Sequence, residues 1–313
     1  MTLGARLEAG LMKDAEKVID VGRCQASGRC FPDGCHLFFG ISRSSIRLML
    51  MLMAAFVSCC ASTAFAITVP PGFEVVAFGP AFNSPTSMAF ASGSRIFVTE
   101  QAGVVRVLEN GSLRAQPFID LTDEVNGQGD RGLLGIALDP NFAVTRHVYL
   151  TYTVDPIAGA PDEAGSAPTF SRITRYTGTL ASGGLVADPA SRLVLVGDTA
   201  ESGIPVCSSS HTVGMLRFAA DGSLLASAGD GALYSFADGG GNTPECLPYL
   251  DADEDIGAFR AQNLDSLCGK ILRINPATGN GYATNPYYTG DATENRSKVL
   301  LSGLRNPFRF TIR

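Results

Sequence analysis

The sequence predicts an all-β fold, because its apolar residues fall in short runs cut by turn residues and because helix-forming stretches are scarce. Of the 313 residues, 35 are glycine and 17 proline. After residue 66, runs of Ala, Glu, Lys and Leu long enough for helices are few, which favours a turn-rich β chain. With 45% hydrophobic and 17% charged residues, the chain can bury a sizeable core as one large domain or two small ones. That composition excludes disorder as its main character.

Each expected strand is a run of four to eight residues rich in Val, Ile, Leu, Phe and Tyr, bounded by Gly, Asn, Asp, Ser or Pro. In chain order they are FEVVAFG (73–79), SRIFVTE (94–100), GVVRVLENG (103–111), HVYLTYTV (147–154), SRITRYTG (171–178), SRLVLVG (191–197), SLLASAGDG (223–231), KILRINPATG (270–279) and KVLLSGL (298–304). Segments 95–112 and 215–231 each read as strand, turn, strand. Asn110-Gly111 and Asp221-Gly222 supply the positive φ that tight hairpins need. One four-stranded unit per roughly 45–60 residues is the spacing of propeller blades, and residues 67–313 hold about four such units at most. A β-sandwich would show similar strands. The polar stretch 235–263 breaks the rhythm, and a loop of that length is often functional.

The N-terminal region has a different character. Arg43 and Arg47 precede an apolar run from Leu48 to about Val57, which ends in small residues and Ala64-Phe65-Ala66. That order is the pattern of a secretory signal cleaved after Ala66. The competing reading of residues 45–66 is a membrane anchor, although its apolar core is short for a span of about 20 residues. Residues 1–42 read as a leader extension, residues 43–66 as signal or anchor, and 67–313 as the folded part. The expected location is secreted or periplasmic, with membrane anchoring as the alternative.

Charge and cysteine usage narrow the function. The formal charge is −6; residues 67–313 carry 17 basic against 25 acidic residues. An acidic surface without basic runs argues against a nucleic-acid partner. Five of the eight cysteines precede Ile67, leaving Cys207, Cys246 and Cys268. In an oxidising compartment one disulfide is expected. Cys207 with Cys246 is the preferred pair, since both sit in polar loops flanking the same hairpin, but sequence leaves the connectivity open. The acidic run Asp251 to Asp255 offers oxygen ligands but lacks the ligand alternation and glycine of a calcium loop, so it reads as a solvated loop. No zinc spacing, phosphate-binding loop or nucleophile elbow is present.

Four segments in order, DRGLLGIALDPNF (130–142), HTVGMLRFAADGSLLASAGDG (211–231), LCGKILRINPATG (267–279) and GLRNPFRF (303–310), with RITRY (172–176) between the first two, resemble the soluble quinoprotein glucose/sorbosone dehydrogenases. These use pyrroloquinoline quinone (PQQ) and have Hedgehog-interacting-protein-like relatives. The resemblance implies a six-bladed β-propeller, here holding only its first blades, with PQQ and a sugar above the central cavity. It also implies Ca²⁺, whose ligands in the family lie mostly in later blades.

Residue by residue, the resemblance makes His211 the base that takes a proton from the sugar hydroxyl, a task suited to a side chain titrating near neutrality. Arg305 and Asn306 take the places that face the quinone, where a guanidinium stabilises developing negative charge. Asp130 stands where glucose-oxidising members carry a sugar-contacting amide. Ser210 replaces an acid that orients the base or contacts sugar. Asp230 reads as a turn residue in a loop bordering the cleft. The function implied is an exported PQQ-dependent oxidation of a sugar or polyol carbon by base-assisted hydride transfer, with the electron acceptor unspecified. The alternatives are a non-catalytic propeller binding module and an inactive fragment of such an enzyme.

Overall fold

In a computed structural model of the chain, the described residues are 69–76, 79–91, 94–155, 169–181, 184–241 and 252–313. The leader and the signal or anchor segment lie outside them. The chain divides between Val75 and Val76. Before that division, residues 69–75 form no strand, and Phe73 and Val75 are exposed. The strand expected over 73–79 is therefore not formed at its described residues, 73–76 and 79. An apolar run is strand-compatible, but a strand exists only where an edge is present to pair with it.

From Val76 onward the described residues build three antiparallel sheets. The first holds β1 (Pro85–Phe90), β2 (Arg95–Glu100), β3 (Val104–Glu109) and β4 (Ser112–Leu113) in spatial order, with β5 (Ile119–Asp120) also on β3. The second is built from β6 (Leu133–Leu138), β7 (His147–Thr153), β8 (Thr169–Ala181), β9 (Gly184–Val196) and β10 (Ile204–Val206). There β6, β7 and β8 are consecutive, and both β9 and β10 pair with β8. The third is β11 (Val213–Phe218), β12 (Leu224–Ala228), β13 (Lys270–Ile274) and β14 (Val299–Leu301), in that order. Successive sheets of neighbouring antiparallel strands are the blades of a β-propeller. Among the described residues there are three blades and no closed ring.

Turn chemistry matches the sequence at one hairpin and differs in detail at another. Asn110 (φ 53°) and Gly111 (φ 77°) both adopt the left-handed conformation between β3 and β4, as a two-residue type I′ turn demands. Between β11 and β12 only Gly222 (φ 83°) does so. The Asp221 carboxylate instead accepts from the Ser223 amide at 2.9 Å and its hydroxyl at 2.6 Å.

The middle blade is buried on both faces. Val148, Leu150 and Tyr152 of β7 pack with Phe97, Val105 and Phe118 of the first blade region, whereas Tyr149 packs with Leu216 and Leu224 of the third. Alternate side chains of one strand thus enter two different cores. Phe97 meets Phe118 and Phe142 edge-on at 5.3 and 5.6 Å between ring centroids, a favoured aromatic geometry.

The first strand of every blade is an inner strand: β6 lies between β1 and β11. Each of the three departs from regular register near its N-terminal end, at Pro85/Ser87, Leu133/Gly135 and Val213/Leu216. Such irregularities bend a strand and re-aim its side chains. Those of β6 and β11 lie beside the cleft described next.

Candidate active site

Four segments converge at the N-terminal ends of β6 and β11: residues 129–131, 208–212, 229–234 and 303–306. Together they line a cleft of about 480 Å³ that includes Gly129, Asp130, Ser210, His211, Tyr234, Arg305 and Asn306. All five residues singled out from sequence as base, cofactor contacts or substrate contacts lie in this one cleft.

His211 sits just before β11 with φ 55°, a left-handed conformation that is uncommon outside glycine. Backbone bonds hold it there. The Gly229 amide donates to Thr212 O at 2.7 Å and the Gly231 amide to His211 O at 3.0 Å. The two strands approach so closely that a Cβ on Gly229 would lie 2.2 Å from His211 O, which is why glycine stands at 229. On the other side, the His211 amide donates to Asp130 Oδ2 at 3.3 Å and the Thr212 hydroxyl to Asp130 O at 2.7 Å. The Asp130 amide donates to Ser209 O at 2.8 Å.

The imidazole pairs with Asp230, Nδ1 to Oδ1 at 2.8 Å, and both side chains are buried, at 4% and 2% exposure. The same Asp230 Oδ1 accepts the Ala232 amide at 3.0 Å. A carboxylate only accepts hydrogen bonds, so it fixes the imidazole proton on Nδ1 and leaves the Nε2 lone pair as the basic site. Asp230 does close a turn, as its sequence context suggests, but it is also the orienting partner of the histidine.

Ser210 does not take that orienting part. Its hydroxyl donates to Ala232 O at 3.2 Å and lies 3.3 Å from Ser208 Oγ, so it braces the loop from within. Arg305 and Asn306 are exposed, and the Arg305 carbonyl accepts the Asp230 amide at 2.9 Å. The backbone that carries the guanidinium is therefore tied to the partner of the imidazole. Behind Asp230 lies a buried cationic layer. Arg260 Nε donates to Asp230 O at 3.1 Å, and Lys270 Nζ donates to the carbonyls of Arg260, Ala261 and Cys268 at 2.7–3.0 Å.

Cys207 is disulfide-bonded, four residues before His211. Cys268 is a free, buried thiol, which removes it as the partner of Cys207. Cys246 lies outside the described residues. His147 pairs with Asp139 at 3.5 Å at the start of β7; desolvation by burial holds its pKa below the usual histidine value. Among the described residues no cluster of three or more His, Cys, Asp or Glu is arranged to hold a metal ion. Within the acidic run, Asp251 lies outside the described residues, and Asp255 Oδ1 accepts the Gly241 amide at 2.9 Å. These residues do not fit a Ca²⁺ site.

An imidazole with a fixed Nδ1 proton, beside a guanidinium, an amide and a carboxylate in one cleft, can move a proton while holding a polar or anionic ligand. Residues 82–313 match the family model described as Glucose / Sorbosone dehydrogenase, and the chain belongs to that family. It is 27% identical over 224 residues to an uncharacterized protein of Synechocystis, covering 69% of this chain and 46% of that one. It is 25% identical over 229 residues to mouse Hedgehog-interacting protein, covering 70% and 28%. Among solved structures it is similar to an oxidoreductase described as a glucose dehydrogenase from Thermus thermophilus, at 25% identity and TM-score 0.49, covering 74% and 54%. It is also similar to the PQQ-bound form of an aldose sugar dehydrogenase from Streptomyces coelicolor, at 21% identity and TM-score 0.45, covering 72% and 55%. The chain thus spans less than half of these curated relatives and about half of these solved chains.

Proposed function

We propose that the cleft is the sugar-oxidising site of a PQQ-dependent dehydrogenase, in which His211 is the base and Arg305 and Asn306 contact the cofactor. The observation that carries this reading is the buried His211–Asp230 pair in the same cleft as an exposed guanidinium and amide. PQQ is an anionic quinone, and the donors of Arg305 and Asn306 fit such a group. When bound, PQQ supplies the two-electron oxidant for an alcohol carbon.

The residues of the chain supply the rest. His211 Nε2 accepts the hydroxyl proton, and Asp230 stabilises the imidazolium that results. The Asp130 carboxylate accepts hydrogen bonds from other hydroxyls of the substrate. The guanidinium of Arg305 offsets the negative charge that builds up across the cleft as the substrate is oxidised. No step is assigned to Ca²⁺. Export to an oxidising compartment, secreted or periplasmic, is part of the proposal; the Cys207 disulfide supports it.

The second reading is a binding module without redox chemistry. It is favoured by the likeness to Hedgehog-interacting protein and by Asp130 and Ser210, which depart from the residues of sugar-oxidising members. Calorimetric titration with PQQ separates the two. The dehydrogenase reading expects saturable binding that Arg305→Ala weakens about 10- to 100-fold, as loss of a charged hydrogen bond of about 1.5–3 kcal/mol implies. His211→Gln is expected to leave that binding within about threefold. No PQQ binding by the wild type would overturn the dehydrogenase reading and favour the binding module.

A further inference from the structure

Tyr234 is the one benzenoid ring among the residues lining the cleft, and it is 68% exposed. Aromatic rings ordinarily bury much of their surface, so its exposure calls for a cause. The backbone on either side of the ring is held by buried carboxylates. The Ala232 amide is held by Asp230 Oδ1 at 3.0 Å, the Leu233 amide by Asp238 Oδ2 at 3.0 Å, and the Gly240 amide by Asp238 Oδ1 at 3.0 Å. Asp238 is itself buried. The carboxylate that orients His211 thus also fixes the backbone two residues before Tyr234, which couples the placement of the ring to that of the base.

Apart from Gly129, the rest of the lining is polar, with Asp130, His211, Arg305 and Asn306 beside two serines. One exposed aromatic face beside a set of donors and acceptors matches the two surfaces of a pyranose. Such a ring carries hydroxyls around its rim and C–H bonds on its faces. A planar aromatic ring covers a C–H face, while polar side chains read the rim. An open-chain polyol has the same hydroxyls but no flat C–H face.

Building on the sugar-oxidising reading of the cleft, we infer that Tyr234 is a specificity residue. Its ring stacks on the C–H face of a pyranose, and it selects cyclic sugars over open-chain polyols. The phenolic hydroxyl takes no part, so phenylalanine serves equally well.

The test is ligand-observed NMR titration of the PQQ-supplemented full chain with methyl β-glucopyranoside and with sorbitol. The glucoside has no free anomeric hydroxyl, so binding is read without turnover there. Tyr234→Ala is expected to weaken glucoside binding about 2- to 10-fold, the range of one aromatic contact, and to leave sorbitol binding unchanged. Tyr234→Phe is expected to match the wild type for both. If the wild type binds glucoside and Tyr234→Ala binds it equally well, the inference fails while the sugar reading stands. Equal weakening of both ligands, or weakened PQQ binding in Tyr234→Ala, overturns it as well, because the ring would then serve the loop or the cofactor. Failure of the wild type to bind either carbohydrate refutes the sugar reading, and this inference with it.

Discussion

Replacing Asp230 separates the structural from the chemical part of the His211–Asp230 pair. In Asp230→Ala, two buried donors lose their acceptor: His211 Nδ1–H, now 2.8 Å from Oδ1, and the Ala232 amide, now 3.0 Å from the same atom. At about 1–3 kcal/mol for each buried unsatisfied donor, the variant is expected to be destabilised by about 2–6 kcal/mol. In Asp230→Asn, the amide oxygen can accept both bonds, and only the charge is lost, for a cost of about 1 kcal/mol. The chemistry responds in the other proportion. An amide does not stabilise an imidazolium as a carboxylate does, so Asp230→Asn is expected to lose about 10²-fold or more of the turnover that a positioned base supplies. Urea unfolding gives the first quantity. PQQ-dependent, aldose-driven dye reduction gives the second. Asp230→Asn with wild-type turnover, or Asp230→Ala with wild-type stability, would refute the reasoning about this pair.

Three further predictions follow from particular contacts. Hydrogen bonds from Ser223 and then Arg273 hold the Asp221 carboxylate well below its ordinary value of 3.8. A depressed folded-state pKa gives stability that is complete above that ordinary value and is lost as pH falls through the folded one. Asp221→Asn should therefore melt below the wild type at pH 7, with the gap closing below about pH 4, as melting temperatures across pH will show. Gly229→Ala forces a Cβ to within 2.2 Å of His211 O; since backbone cannot yield as a side-chain tip does, a loss of about 3 kcal/mol is expected by denaturant titration. Burial pushes the Cys268 thiol up to about 11, so iodoacetamide at pH 8 should label it only in denaturant, by mass spectrometry of tryptic peptides.

Strands with alternating or β-branched runs were legible in the sequence: β2, β3, β7, β12, β13 and β14 fall on expected segments, whereas β8 runs past its segment at both ends and β9 begins seven residues before its own. Two inner strands were not. PTSMAF opens on proline and two hydroxyl residues, and LLGIAL is composed mostly of residues that serve helices equally well. Both become strands through their place beside their neighbours. The run FEVVAFG errs the other way: its residues suit a strand, yet residues 73–76 pair with no edge among the described residues.

The convergence of Asp130, Ser210, His211, Arg305 and Asn306 is a product of the ordered motifs; local physics alone cannot bring together residues up to 176 positions apart. Asp230 as partner of His211 was one residue out of reach. The tight end of the β11–β12 hairpin pairs Phe218 with Leu224, a register that carried straight through would set Gly231 opposite His211. The irregularity between Val213 and Leu216 shifts the count by one, pairs Val213 with Ala228, and so brings Asp230 into place. A bulge of that kind leaves no mark in composition. Tyr234 was missed because a tyrosine in a glycine-rich loop has no pattern of its own; only its exposure inside the cleft distinguishes it.

On the proposed reading, His211 is the base for sugar oxidation in this cleft. The most direct measurement is aldose-dependent dye reduction by PQQ-supplemented protein, wild type beside His211→Gln, at equal PQQ occupancy. Turnover is expected in the wild type, with a loss of about 10²- to 10⁴-fold in the variant, the contribution of a positioned base. Equal turnover by the two proteins would contradict that reading.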